Sequence, residues 1–241
     1  MDISKAAMLI TGANRGIGRR IVDCLLAAEA PRIYAGARDP AKLGALVENE
    51  RIVPIALDVT RPEQVAAAAE RCADVTLLIN NAGINRNRPL IAEPEALANA
   101  RAEIEVNYLG TLSMCRAFAP VLKANGGGMI VNILSAIGRV NLPALGSYCA
   151  SKAAEYSMTQ GVRAELAAQG THVMGVLPGA VDTDMTPGGD ARPEDVAAAI
   201  VEAIANDVED LYPDAMAQGL SEGLARDAKA VEKEMAAYLP G

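Results

Sequence analysis

A tyrosine and a lysine stand four residues apart in the segment Y148-C-A-S-K152. Residues 147–170 have the pattern of an amphipathic helix, in which four residues make about one turn, so the Tyr148 phenol and the Lys152 ammonium share one helix face. A nearby positive charge favours a phenolate, and a phenol that exchanges its proton is a candidate general acid and base. Both residue types are also common on helix surfaces, so the pair alone leaves a surface role open.

Seven apolar segments alternate with helical patterns and predict the elements that would position this pair. Several of the segments lack the period of a half-exposed strand, which is typical of parallel strands covered by helices on both faces. We therefore predict an α/β fold with one Rossmann-like domain over residues 1–241, a doubly wound parallel sheet of about seven strands flanked by helices. The predicted strands are residues 6–12, 32–37, 51–58, 75–80, 128–135, 171–178 and, more weakly, 209–213.

Helical patterns fill the intervals between these strands. The C-terminal segment, about 214–238, reads as a solvated amphipathic helix and a possible oligomer contact. The other predicted helical segments are residues 16–30, 40–48, 61–73, 93–125, 147–170 and 191–206.

Composition excludes several classes of function. The net charge of −8 argues against nucleic acid as a partner, because the phosphate backbone would be repelled. A single His and four Cys without a paired spacing argue against a metal site. The chain shows neither a signal-peptide pattern nor an apolar run of membrane-spanning length, so we expect a cytoplasmic protein with no membrane partner.

The first predicted strand ends in a glycine-rich turn, T11-G-A-N-R-G-I-G18. Its GxxxGxG spacing differs from the GxGxxG of most dinucleotide-binding turns, but the physical role is similar. Glycines permit a tight turn, and the following helix directs its N-terminal N–H groups and positive dipole end towards a pyrophosphate.

The second predicted strand ends at Ala37 and Arg38. Enzymes that use NAD commonly place an acidic side chain here on the adenosine ribose, and Ala37 cannot make that bond. Arg38 and Arg15 suit a 2′-phosphate, because a guanidinium binds phosphate through forked, charge-assisted hydrogen bonds. We therefore expect NADP(H) as cofactor. Asp39 is the alternative ribose ligand if the strand ends two residues later.

Taken together, seven motifs occur in the order found in the short-chain dehydrogenases/reductases, and the chain resembles that family from about Met8 to Tyr212. The interval of thirteen residues from Ser135 to Tyr148 also matches the family. The motifs are TGxxxGIG at 11–18, LDVT at 57–60, NNAG at 80–83, Asn107, Ser135, Y148xxxK152 and P178-G179.

The resemblance implies a role for each catalytic position. Tyr148 would be the general acid that gives its proton to a carbonyl oxygen as hydride reaches the carbon. Lys152 would favour the phenolate and bind the nicotinamide ribose, and Ser135 would position the substrate oxygen. Asn107 would hold a water that links Lys152 to solvent.

The resemblance also implies the cofactor contacts. Asp58 would bind the adenine amino group with the Val59 backbone beside it, and Val181 and Thr183 would meet the carboxamide. The other expected cofactor residues are Gly12, Asn14, Arg15, Gly16, Ile17, Gly18, Arg38, Asn80, Ala82, Gly83, Tyr148, Lys152, Pro178 and Gly179.

The expected activity is reduction of a ketone or aldehyde with NADPH, or the reverse alcohol oxidation. Two alternatives remain, a 3-oxoacyl thioester reductase and a dinucleotide-sensing regulator that has lost catalysis. The net charge of −8 does not favour binding of the acidic carrier that a thioester reductase would use. All four catalytic positions, Asn, Ser, Tyr and Lys, are present, which disfavours a regulator without catalysis. We expect a homodimer or homotetramer, since the helices at 96–123 and 147–170 commonly dimerise in the family.

The segment between Thr183 and Pro193 is short for a substrate lid. Its TPGG sequence favours a turn over a helix, so the substrate loop 183–193 should leave the pocket open on that side. The alternative is that the C-terminal segment or a partner subunit covers the opening. Cys149 and His172 are expected to be structural. The expected substrate wall is Val140, Asn141, Leu142 and Leu145, with Met185 near the mouth.

Overall fold

Seven strands form one parallel sheet in the structure, a computed structural model that describes residues 1–86, 88–206 and 208–238. The strand order is β3-β2-β1-β4-β5-β6-β7. This confirms the predicted doubly wound sheet and places each of its strands. The strands are β1 Ala7–Thr11, β2 Arg32–Ala37, β3 Ile52–Ala56, β4 Leu77–Asn80, β5 Met129–Ile133, β6 His172–Val176 and β7 Asp210–Leu211.

The order of the strands reverses between β1 and β4, which lie side by side in the sheet. Because ligands bind outside the carboxyl ends of the strands at such a switch point, the fold brings the predicted motifs to one edge. The central strands β1, β4 and β5 are almost wholly buried, since helices cover both faces of the sheet, whereas the edge strands β3 and β7 are partly exposed. The helices are α1 Gly16–Ala27, α2 Pro62–Arg71, α3 Ala96–Glu103, α4 Thr111–Ala124, α5 Gly146–Leu166, α6 Pro193–Ala205 and α7 Ala215–Met235.

The two helical layers rest on separate apolar clusters. On one face α1 and α6 pack together, with Ile21 and Ile200 fully buried against Ile10 of β1. On the other face α2 and α4 pack on the sheet through residues such as Phe118, which is also fully buried. Val, Ile, Leu and Ala supply most of the side chains in both clusters, and aromatic residues are few.

Two predicted helical segments differ from regular α-helices. Residues 40–48 form 3₁₀ turns that break at Gly44, whose φ of 56° is compatible with a bend but not with a continuous helix. The segment 93–125 holds α3 and α4 joined by a π-helical stretch, Ile104–Gly110. Such stretches widen the helix locally and often mark functional sites.

The C-terminal helix α7 is buried along one face. Ala217, Leu220 and Val231 pack against Ile137 and Tyr148, and the helix bends at Asp227. The helix is thus amphipathic, and its apolar face packs on the chain itself while most of its other residues are exposed. Among the residues that the structure describes, none of the helices has the length and apolar composition to cross a membrane.

Candidate active site

One cleft opens at the carboxyl ends of the strands and collects most of the predicted residues. It runs from the turn after β1, past the ends of β2, β4 and β5, to the loop after β6. The predicted residues that line it are Gly12, Asn14, Arg15, Gly16, Ile17, Arg38, Asp58, Val59, Ala82, Gly83, Ser135, Tyr148, Lys152, Pro178, Gly179, Val181, Thr183 and Met185.

Other lining residues were not assigned a role from the sequence. Leu57 and Asn81 lie inside the LDVT and NNAG motifs, and the others flank a predicted residue by one or two positions along the chain. These lining residues are Leu57, Asn81, Ile84, Val106, Ile133, Leu134, Asp184 and Thr186. The predicted residues outside the lining are Gly18, Asn80, Asn107, Val140, Asn141, Leu142 and Leu145.

The glycine turn after β1 has the geometry of a phosphate cradle. Gly12 and Gly16 have φ of 66° and 54°, values that favour glycine. A Cβ at Gly12 would lie 3.0 Å from Asn81 Nδ2. In the described chain no side chain caps the start of α1 at Arg15, so its first N–H groups face the cleft without a capping acceptor. These features fit the pyrophosphate of a dinucleotide.

Gly18 and Asn81 hold the turn against β4 from behind. Asn81 Nδ2 donates to the carbonyl oxygens of Thr11 and Gly12 at 2.9 and 3.1 Å. A Cβ at Gly18 would collide with the same Asn81 side chain. Gly18 therefore contributes close packing of α1 on the strand ends.

Arg38 is exposed at the cleft beside Asp58. Burial opposes ionisation of Asp58, but hydrogen bonds from Thr60 and the Arg38 charge outweigh it and lower the pKa of this carboxyl. Asp39 instead accepts the Ala41 amide at 3.1 Å and caps the 3₁₀ turns that follow. A guanidinium is thus the charged group at the ribose end, which fits a 2′-phosphate.

Tyr148 is buried at the floor of the cleft with Ser135 and Lys152 beside it. Burial raises the pKa of the Tyr148 phenol, and the charge of Glu155 adds to this effect. Lys152 and a hydrogen bond from Ser135 act in the opposite direction. The Lys152 charge thus lowers the pKa of the phenol, as expected, but burial has the larger effect and the pKa remains raised.

Lys152 is held by two strong acceptors. Its Nζ donates to the Ile133 carbonyl oxygen at 2.8 Å and to Glu155 Oε2 at 2.7 Å. Burial disfavours its charge, but Glu155 and Tyr148 outweigh burial and raise the pKa of Lys152. Glu155 was not singled out from the sequence, although its position three residues after Lys152 places it on the same helix face.

Asn107 and Asn80 act behind the cleft. Asn107 Nδ2 donates to the Ile84 carbonyl oxygen and to Ser151 Oγ, both at 2.9 Å, and its Oδ1 accepts the Ile84 amide at 2.8 Å. Asn80 Nδ2 donates to Asn132 Oδ1 at 2.9 Å. These side chains join the loop after β4 to α5 and the end of β4 to β5.

The expected substrate wall packs against the C-terminal helix. Val140, Leu142 and Leu145 contact the apolar cluster that includes Leu220 and Val231 of α7. The C-terminal segment thus lies against this wall, as in one of the two alternatives for this side of the pocket. Asn141 turns to the Gly146 carbonyl oxygen at 3.1 Å.

Cys149 and His172 do not line the cleft. Burial raises the pKa of the Cys149 thiol, and its sulfur accepts the Leu142 amide at 3.3 Å. A buried, protonated thiol is unreactive. His172 is exposed at the start of β6, at the opposite end of the strand from the cleft.

Comparison with known proteins agrees with this geometry. A solved short chain dehydrogenase from Burkholderia cenocepacia in complex with NADP is 44% identical, with a TM-score of 0.91 and complete coverage of both chains. Galactitol 2-dehydrogenase (L-tagatose-forming) of Cereibacter sphaeroides is 38% identical over 78% of this chain and 76% of its own. The 3-oxoacyl-[acyl-carrier-protein] reductase of Thermotoga maritima is 32% identical over 77% of this chain and 78% of its own.

The family model of the short chain dehydrogenases matches residues 6–193, which hold the glycine turn, the Ser135, Tyr148 and Lys152 cluster and the loop after β6. The match agrees with the resemblance seen in the sequence motifs. The protein is therefore a member of the short-chain dehydrogenase/reductase family and an oxidoreductase.

Proposed function

We propose that this protein reduces a ketone or aldehyde to an alcohol with NADPH, or catalyses the reverse oxidation, with Tyr148 as general acid and base. The observation that carries the proposal is the buried Tyr148 beside Ser135 and Lys152 in a cleft that begins at a glycine turn. A phenol, a hydroxyl donor and an ammonium in one pocket can bind a carbonyl oxygen and transfer a proton to it.

NADPH supplies the hydride when it is bound. The Ser135 hydroxyl donates to the substrate oxygen and fixes it near the Tyr148 phenol. Tyr148 gives its proton to this oxygen as negative charge develops there, and Lys152 stabilises the phenolate that remains. In the oxidative direction the same phenolate takes the alcohol proton.

The choice of NADP(H) over NAD(H) rests on Arg38 and Arg15. Arg38 lines the cleft and Asp39 is engaged in capping. Arg15 pairs with Asp184 across the cleft at 3.5 Å, and both side chains are exposed. Exposed pairs of this kind are worth only about 0.2–1 kcal/mol, so Arg15 can turn to a phosphate. The Burkholderia cenocepacia relative, which carries NADP, supports the same choice.

The test is the absorbance of NADPH during turnover with a panel of ketones, diketones, aldehydes, a 3-oxoacyl thioester and, in reverse, sugar alcohols with NADP⁺. We expect turnover of at least one plain carbonyl with NADPH and slower turnover with NADH. If no member of the panel supports turnover while NADPH binds, the dinucleotide-sensing regulator becomes the better description.

A 3-oxoacyl thioester reductase is the second candidate. The Thermotoga maritima relative is named as such an enzyme, and this observation favours the candidate. This chain has a net charge of −8 and would repel an acidic carrier protein, so its charge disfavours this candidate. Turnover confined to the thioester would establish this candidate.

We also propose that the chain forms a single domain and assembles into a homo-oligomer. Residues 1–241 act as one dinucleotide-binding domain, with the short loop 183–193 and the C-terminal segment 214–238 beside the substrate. The protein forms a homodimer or homotetramer, which light scattering at several concentrations would test. A monomer at every concentration would contradict this.

A further inference from the structure

A carboxylate is buried directly behind the reacting groups. Glu155 is 1% exposed and Lys152 is 4% exposed, and Lys152 Nζ lies 2.7 Å from Glu155 Oε2. Buried charges are rare unless they are paired and hydrogen-bonded, because burial removes their hydration. The proposed mechanism uses Lys152 but gives no reason for an acid at this position.

Both oxygens of the Glu155 carboxylate have partners. Thr111 Oγ1 of α4 donates to Oε1 at 3.0 Å, while Oε2 accepts from Lys152. The Glu155 backbone carbonyl oxygen accepts from Thr159 Oγ1 at 2.8 Å. The carboxylate is therefore fixed between two helices and has little freedom to move.

Glu155 in turn limits where the ammonium can lie. An ammonium has three N–H donors, and those of Lys152 that point to Ile133 and Glu155 are fixed. The ammonium also lies close to Gly83, where an added Cβ would be 3.8 Å from Nζ. Gly83 lines the cleft, so Glu155 holds the ammonium at the cleft wall.

At the Tyr148 phenol the charge of Glu155 opposes the charge of Lys152. Lys152, Glu155 and the buried thiol of Cys149 come from the same helix as Tyr148. Cys115 of α4 interacts with Glu155 and not with Tyr148, and burial raises the pKa of its thiol to about 12. Glu103 of α3 is also buried and accepts the Arg86 amide at 2.7 Å. From α7 the apolar side chains of Leu220 and Val231 pack in the cluster that includes Tyr148.

We propose that Glu155 is a positioning residue that fixes the Lys152 ammonium and neutralises its charge at the Tyr148 phenol, so that the resting site holds a protonated tyrosine. This inference rests on the proposed function of Tyr148 as general acid. A protonated Tyr148 already carries the proton that reduction of a carbonyl consumes, so the resting site is prepared for the reductive direction.

The sign of the pH effect follows from the charge. Burial raises the pKa of the Glu155 carboxyl, while the Lys152 charge and the hydrogen bonds from Lys152 and Thr111 favour its ionised form. With Glu155 ionised, the phenolate of Tyr148 faces a neutral pair, and its pKa is higher than it would be beside Lys152 alone. Glu155→Gln keeps an acceptor for Lys152 but removes the negative charge, so the phenolate should form at lower pH. The alkaline loss of reduction should then begin at lower pH, and alcohol oxidation should become faster near neutral pH.

The experiment is an ultraviolet titration of tyrosinate in protein without cofactor or substrate. The signal of Tyr148 is the difference between each protein and the same protein carrying Tyr148→Phe. Compared with the wild type, Glu155→Gln should shift the Tyr148 midpoint to lower pH. The matched control, Glu165→Gln, removes the same charge from an exposed position on the same helix and should leave the midpoint in place.

An unchanged or higher midpoint in Glu155→Gln would overturn the proposal. Should this variant fail to fold, ¹³C NMR of wild-type protein labelled at the glutamate carboxyls replaces it, with the Glu155 signal assigned through Thr111→Val. An ionised Glu155 carboxylate at neutral pH supports the proposal, and a protonated one contradicts it. Because neither measurement needs turnover, a failure of the proposed function would show only in the NADPH assay.

Discussion

Asp214 joins the C-terminal helix to the loop after β6 through the amide of Gly179. Its Oδ2 accepts the Gly179 amide at 2.8 Å, and its Oδ1 accepts the Ala217 amide at 2.9 Å as the cap of α7. One carboxylate thus starts the helix and ties it to a residue that lines the cleft. Beyond this attachment, Ala217 and Leu220 of α7 pack in the same apolar cluster as Tyr148.

Asp214→Ala should remove both bonds and lower the free energy of unfolding by about 1–2 kcal/mol, the usual value of a helix cap. It should also raise KM for the carbonyl substrate more than it lowers kcat, because α7 would lose its place beside the pocket. Asp214→Asn keeps the capping oxygen and should recover most of the stability. Denaturant unfolding and steady-state kinetics of both variants check this, and equal effects of the two would contradict it.

Tyr148→Phe should lower turnover by about 10²–10⁴-fold, the usual contribution of a positioned general acid. NADPH affinity should stay close to the wild-type value, because only the phenolic oxygen is lost. The matched control is Tyr156→Phe on the same helix, where the lost hydroxyl donates to Asp210 at 3.0 Å outside the cleft. The measurement is turnover of both variants with the best carbonyl substrate of the panel. If Tyr148→Phe turned over at the wild-type rate, Tyr148 would not be the general acid.

Arg38→Ala should weaken NADPH binding roughly 10–150-fold, because a hydrogen bond to a charged group contributes about 1.5–3 kcal/mol. NADH affinity should hardly change, since NADH lacks the 2′-phosphate. Titration calorimetry with both cofactors measures the difference, with Arg61→Ala as a control at the start of α2. A wild-type preference for NADH would assign the ribose to Asp39 instead.

Gly18→Ala should destabilise the protein by about 1–3 kcal/mol through overpacking, because the new methyl group would meet Asn81 and the Gly12 carbonyl oxygen. Gly219→Ala in α7 is the matched control, since an added Cβ there meets no described atom within 4 Å. This control should stabilise the helix by about 0.5–1 kcal/mol. Thermal unfolding of the pair tests the contrast, and similar shifts of Tm in both variants would contradict it.

The sequence by itself was sufficient for the sheet, the switch point and most of the cleft. Apolar runs without alternation mark buried parallel strands, and in such a sheet the residues that follow each strand meet at one edge. For this reason Gly12, Arg38, Asp58 and Ser135 could be placed at one cleft although they lie far apart in the chain. The spacing of Tyr148 and Lys152 on one helix face needed only the period of the α-helix.

Tertiary structure alone decided what surrounds that face. From the sequence alone, Glu155 is indistinguishable from an acidic residue on the surface of a helix. In the folded protein α4 packs over it, and Thr111 donates a hydrogen bond to its carboxylate. In the same way, the apolar side of α7 could face solvent, a partner or the chain itself, and periodicity does not choose among them. Burial changes the energy of a charge and the partner of an apolar face, and burial is a property of the packed fold that no local pattern contains.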